Sequence, residues 1–143
     1  MNILITGGAG FIGSNFIRYV LNLAGEEFIV TLDKLTYSGN LENLSDVEKK
    51  FKERFKFIKG DICDRDNVRR IIRDFKVEAI VNFAAETHVD RSIKEGSKSF
   101  IRTNIVGTET LLSEGMSGGV KLYIQISTDE VYGSLGEEGI FTE

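Results

Sequence analysis

Five apolar runs, at residues 2–6, 28–32, 55–58, 77–83 and 120–126, alternate with stretches whose apolar residues recur at helical spacing. A strand wet on one face would alternate apolar with polar residues, and these runs are too continuous for that. Strands buried on both faces need helices above and below, and parallel strands need the long crossovers that helices supply. The pattern therefore predicts an α/β chain, doubly wound around a mostly parallel five-stranded sheet covered on both sides. Helices are expected over 11–23, 45–54, 67–75 (with Asp64 as N-cap) and 97–112. On the last of these, Phe100, Ile101, Ile105, Thr108, Leu111 and Leu112 fall near one face. Residues 37–43 read as a loop.

The 143 residues carry no linker and no repeat, so residues 1–143 are expected to form one domain. Net charge is −4 with both signs interspersed, which argues against nucleic acid or an anionic membrane as partner. The densest basic stretch, 49–59, includes Glu53 and three Phe and reads as a solvated helix face. Cys63 is the only cysteine, so no internal disulfide forms, and a reduced, buried or half-buried thiol is expected. No metal site is expected. Residues 1–6 lack the flanks of a signal peptide, and no apolar run nears the ~20 residues that span a bilayer. The expectation is a cytoplasmic protein. Proline is absent where roughly seven would be average, so glycine supplies the punctuation.

Between the first strand and the first helix lies Thr6-Gly7-Gly8-Ala9-Gly10-Phe11-Ile12-Gly13. It satisfies G-x-G-x-x-G through Gly8, Gly10 and Gly13, and G-x-x-G-x-x-G through Gly7, Gly10 and Gly13. Such a turn needs positive φ, brings the backbone close to a pyrophosphate and lets the helix pack on the strand. N–H groups near Phe11 and Ile12 then face the phosphates with the helix dipole behind them. The second strand ends at Asp33, about twenty residues past Gly13, where a carboxylate accepts both adenosine ribose hydroxyls. A 2′-phosphate would be repelled, favouring NAD over NADP, although the neighbouring Lys34 is a counter-signal. The whole unit predicts an NAD-binding Rossmann fold.

The fifth run leads into Ser127-Thr128-Asp129-Glu130: hydroxyls and two adjacent carboxylates at the carboxyl end of a strand, where such sheets bind ligands. Adjacent residues on a regular strand point to opposite faces. Asp129 and Glu130 can reach one ligand only if the backbone has already left strand geometry, and it is expected to have done so.

The Gly7/Gly10/Gly13 spacing resembles that of the extended short-chain dehydrogenase/reductase family, and within it the sugar-nucleotide 4,6-dehydratases. The likeness is carried by Leu32-Asp33-Lys34-Leu35-Thr36-Tyr37-Ser38-Gly39-Asn40-Leu41, Gly60-Asp61-Ile62-Cys63-Asp64, Ala84-Ala85-Glu86-Thr87-His88-Val89-Asp90-Arg91-Ser92, Thr103-Asn104-Ile105-Val106-Gly107-Thr108 and Ser127-Thr128-Asp129-Glu130-Val131-Tyr132-Gly133. The resemblance implies that Phe11 and Ile12 meet the pyrophosphate. Asp33, Lys34, Leu35 and Thr36 would hold the adenosine ribose, and Asp61 and Ile62 the adenine. Phe83, Ala84, Ala85, Thr87 and Thr103 would line the nicotinamide side, with Thr87 and Thr128 also touching a nucleotide-sugar substrate. Asp129 would be the general acid and Glu130 the general base, beside Thr128. His88 is read as a hydrogen-bonded structural residue, Asp90 as a helix cap and Arg91 as its partner.

The implied reaction converts a nucleotide-linked glucose to its 4-keto-6-deoxy form and needs two carboxyl groups in opposite protonation states. The family's Tyr-x-x-x-Lys element is not found: Tyr19, Tyr37, Tyr123 and Tyr132 are followed four residues later by Leu23, Leu41, Ser127 and Gly136. The expectation is an N-terminal part, inactive alone, with the C-terminal substrate domain missing. The resemblance implies that the 97–112 helix packs beside the helix bearing that tyrosine and that these helices build a homodimer interface; without that neighbour its apolar stripe is expected to be bare and the chain to self-associate. Lys94-Glu95-Gly96 departs from the usual proline-bearing turn, and Gly115-Met116-Ser117-Gly118-Gly119 predicts a loose helix–strand junction. A naturally short nucleotide-binding module and a sugar-nucleotide epimerase or decarboxylase are the alternatives, the Asp129-Glu130 pair arguing against the last two.

Overall fold

The computed structural model describes residues 1–23, 25–87, 97–134 and 139–141, with residues 129 and 130 described by their backbone alone. Its strands are β1 (Asn2–Thr6), β2 (Phe28–Asp33), β3 (Phe55–Lys59), β4 (Ala79–Asn82) and β5 (Leu122–Gln125). All pair in parallel, in the order β3-β2-β1-β4-β5. Helices α1 (Phe11–Asn22), α2 (Ser45–Lys50) and α3 (Arg65–Asp74) alternate with the strands, as the apolar pattern predicts. After β4 comes one rod: α4 (Lys98–Phe100), a π segment (Ile101–Gly107) and α5 (Thr108–Ser117).

Strand periodicity divides the core in two. Ile3 and Ile5 of β1 join Ile17, Leu21, Ile29 and Val47 on the α1/α2 face. Leu4 joins Val30, Ile71, Ile72, Ile80 and Leu111 on the α3/α5 face. Successive side chains point to opposite faces, so a strand with a helix layer on each side must be apolar throughout. Each fully buried Leu or Ile contributes roughly 1.5–3 kcal/mol.

Four local expectations are corrected. The second helix is six residues long, from Ser45, and a 3-10 turn (Leu41–Leu44) precedes it, overlapping the end of the expected loop. The final helix runs on to Ser117 rather than ending at 112, through a π segment that a 3.6-residue period does not foresee. There the rod presses on the layer below: a Cβ on Gly107 would lie 2.4 Å from Ile62 Cδ1. The glycine-rich junction after α5 is tight rather than loose. Gly118 N–H bonds the Glu114 carbonyl, Val120 N–H bonds that of Gly115, and a Cβ on Gly118 would come within 2.5 Å of Ile72. Last, β5 is bare on the α1/α2 face: Tyr123 packs on the α3/α5 core while Leu122 and Ile124 are exposed.

Asp64 does cap α3, accepting from Asn67 N–H at 3.1 Å. The α3–α5 contact is fixed by Glu114, 4% exposed, which takes Arg65 at 2.9 Å and Arg69 at 2.8 Å. The exposed side of the rod shows Ile101, Ile105, Leu112 and Met116. No described helix is long and apolar enough to cross a membrane.

Candidate functional site

Strand order reverses between β1 and β4, and the crevice above the carboxyl ends of those strands is where such sheets take ligands. The register brings Thr6 level with Leu32 and Asn82, and Asn82 level with Gln125. The segments leaving β1, β2, β4 and β5 therefore emerge side by side.

The turn after β1 is held by Gly7 N–H to the Leu32 carbonyl (3.0 Å) and Gly10 N–H to the Gly7 carbonyl (3.2 Å). Gly7 has φ +67°, and a Cβ there would lie 2.7 Å from Ala84 N. A Cβ on Gly13 would lie 2.4 Å from the Gly7 carbonyl, so α1 can approach the turn only as glycine. Gly10 differs: its φ is −76°, and a Cβ would meet nothing but the Gly7 oxygen at 3.3 Å. It also leaves α1 without a side-chain cap. The N–H groups of Phe11, Ile12 and Gly13 at the first turn thus have no intrahelical acceptor, and both Phe11 and Ile12 are exposed.

Asp33 is 9% exposed and binds backbone with both oxygens: Ala9 N–H on Oδ2 at 2.9 Å and Leu35 N–H on Oδ1 at 2.8 Å. It ties the glycine turn to the end of β2 while keeping lone pairs for hydroxyl donors. Asn40 N–H and Asn43 Nδ2 both reach the Ala9 carbonyl, so the loop after β2 braces the same turn. Asp61 accepts from Cys63 N–H and pairs with Lys34 Nζ at 2.9 Å, with Arg102 at 3.6 Å. Burial pushes the Asp61 carboxyl up, but the Cys63 N–H and Lys34 ammonium outweigh it and leave it below the ordinary aspartate value. Lys34 is therefore engaged with Asp61. Cys63 is half-buried, and burial, then Asp61, push its thiol up.

A first pocket of about 110 Å³ gathers most of the expected cofactor residues: Gly7, Gly10, Asp33, Lys34, Thr36, Asp61, Ile62, Phe83, Ala84, Ala85 and Thr103. Leu35 lies apart; its backbone meets Asp33 and its side chain packs on the α1/α2 core. A second pocket of about 370 Å³ holds Thr87, Ser127 and Thr128, and shares Ala84, Ala85 and Glu86 with the first. The backbone at 129–132 forms a 3-10 turn directly after this pocket's wall, so it has left strand geometry before Asp129. His88, Asp90, Arg91 and the 94–96 turn lie outside the described residues, as do the side chains of Asp129 and Glu130. No group of His, Cys, Asp and Glu among the described residues could hold a metal ion.

Sequence reasoning missed Ser38, Gly60 and Asn104. Asn104 accepts Glu86 N–H at 2.8 Å and donates to the Glu86 carbonyl at 2.9 Å, pinning the segment common to both pockets. The available signal was its place in the Thr103-Asn104 stretch that carries the family resemblance.

A glycine turn under an uncapped helix, a strand-end aspartate and a crevice at the switch point define a dinucleotide-binding α/β domain. The profile described as GDP-mannose 4,6 dehydratase matches residues 4–143, and the chain belongs to that family. It is 49% identical to the low-salt glycan biosynthesis protein Agl12 of Haloferax volcanii over 143 residues, covering 100% of this chain and 44% of the relative. It is 49% identical to dTDP-glucose 4,6-dehydratase of Streptomyces niveus over 141 residues, covering 96% of this chain and 40% of the relative. Among solved structures it is similar to dTDP-glucose 4,6-dehydratase from Bacillus anthracis str. Ames in complex with NAD. That likeness has 46% identity and a TM-score of 0.85 over 100% of this chain and 42% of the other. The chain thus spans about two-fifths of the length of the relatives it matches.

Proposed function

We propose that this chain supplies the cofactor cleft and the acid–base pair of an NAD-dependent dTDP-glucose 4,6-dehydratase, forming dTDP-4-keto-6-deoxyglucose. The observation that carries the reading is the pair of adjoining pockets sharing Ala84, Ala85 and Glu86, with the backbone already turned at Asp129. The fit to NAD rests on Gly10, where a side chain would enter the cleft, and on Asp33, which has free lone pairs beside it. When bound, NAD⁺ supplies a reversible hydride acceptor. First-turn N–H groups of α1 would hold the pyrophosphate, Asp33 would take the ribose hydroxyls and disfavour a 2′-phosphate, and Asp61 and Ile62 would border the adenine.

In the second pocket Thr87 and Thr128 hold the sugar nucleotide. Asp129 protonates the departing C6 hydroxyl while Glu130 removes the C5 proton, which a ketone at C4 has acidified. The proton acceptor for the C4 hydroxyl is not among these residues, which contain no Tyr-x-x-x-Lys. The residues act as one domain, and the bare apolar side of the rod favours self-association.

In a form spanning the relatives' full length, Glu130→Gln should abolish solvent-deuterium exchange at C5 while oxidation at C4 stays detectable by NADH absorbance. Persistent exchange would remove Glu130 from the role of base.

A further inference from the structure

Asn82 lies at the end of β4, is 0% exposed, and is used by neither pocket. An amide in a sheet core is costly unless both of its ends are bonded, and here they are. Its Oδ1 accepts from Thr6 Oγ1 and from Ala84 N–H (3.2 Å), and its Nδ2 donates to Gln125 Oε1 at 2.9 Å. Gln125 Oε1 also accepts from Tyr123 Oη at 2.7 Å. The Asn82 carbonyl takes Ile126 N–H at 3.1 Å. One side chain thus spans β1, β4 and β5 at their carboxyl ends. Each contact is at, or next to, the residue from which a site segment departs: Thr6 precedes the glycine turn, Ala84 lines both pockets, and Gln125 and Ile126 precede Ser127.

We propose that Asn82 is a positioning residue, which locks the phosphate turn, the shared 84–86 segment and the segment bearing Asp129 into one frame. The inference rests on the dinucleotide reading of the first pocket. An apolar residue of similar size would fill the space, leave Ala84 N–H and Thr6 Oγ1 without their partner, and leave Gln125 Oε1 bonded to Tyr123 alone. The three segments would then be joined by backbone pairing alone.

The test is hydrogen–deuterium exchange on the unliganded chain, followed by NAD⁺ titration, for Asn82→Leu, Thr6→Val and Thr6→Ser. Thr6 lines neither pocket, and its hydroxyl bonds Asn82, so the Val and Ser variants differ at the site chiefly by that bond. Asn82→Leu is expected to speed exchange at Ala84 and Ile126 about tenfold and weaken NAD⁺ binding about tenfold, the range for an unsatisfied buried group. Thr6→Val, which keeps the volume and loses the hydroxyl, should do both in smaller measure, by roughly threefold. Thr6→Ser, which keeps the hydroxyl, should stay within about twofold of the parent chain. If Asn82→Leu fails to fold, the Thr6 pair decides. Indistinguishable exchange at Ala84 and Ile126 in Thr6→Val and Thr6→Ser overturns the proposal. Exchange needs no ligand, so a parent chain that fails to bind NAD⁺ counts against the cofactor reading while exchange judges the frame.

Discussion

Gly10 is the residue whose missing side chain the fold alone does not explain. Gly7 needs its positive φ and Gly13 its contact with the Gly7 carbonyl, whereas Gly10 has ordinary φ and a single neighbour, the Gly7 oxygen 3.3 Å from where a Cβ would sit. The two kinds of glycine should therefore fail differently. Gly13→Ala places a Cβ against fixed backbone and should lower the thermal midpoint, at a cost of about 1–3 kcal/mol. Gly10→Val should melt nearer the parent than Gly13→Ala does and lose NAD⁺ binding by about tenfold or more in calorimetric titration. Reversed effects would mean that the cleft is not where the phosphates sit. The sequence showed that this turn is rich in glycine, but the distinction among the three needs the distances that only folding brings: 2.7 Å to Ala84 N for Gly7, 2.4 Å to the Gly7 oxygen for Gly13, and 3.3 Å to that oxygen for Gly10. Asp33 was likewise legible as a strand-end carboxylate. Its two bonds to Ala9 and Leu35 were not, because backbone donors leave no mark in residue identity.

Among the elements, what was legible came from periodicity. Runs such as 77–83 announce strands covered on both faces, and Asp64 three residues before Asn67 announces a cap. What periodicity could not show is where a helix widens to a π turn, since Ile101–Gly107 keeps helical composition throughout. Nor could it show that Gly115 and Gly118 are packing contacts with Ile80 and Ile72, because glycine in a sequence reads first as a breaker. The α3–α5 contact carries a pH prediction. Arg69, then Arg65, hold the Glu114 carboxyl below its ordinary value against the opposing effect of burial. A carboxylate depressed in the folded state stabilises above its unfolded pKa and loses that contribution as pH falls through the folded value. Denaturant unfolding from neutral pH into the acid range should therefore show less stability loss in Glu114→Gln than in the parent. Equal acid sensitivity in the two would show that the pair does not link α3 to α5.

Across the whole molecule, the site follows from topology more than from any motif. Two half-sheets run outward from β1 and β4, and the place where they part collects the ends of β1, β2, β4 and β5. The chemistry proposed for Asp129 and Glu130 is useful only if that crevice first holds a dinucleotide. The measurement that tests this most directly is a calorimetric titration of the chain with NAD⁺ and, separately, with NADP⁺. Binding of NAD⁺ to one site, at least about tenfold tighter than NADP⁺ because Asp33 meets the 2′-phosphate, is the predicted result. A folded chain that binds neither, or that prefers NADP⁺, would contradict the account.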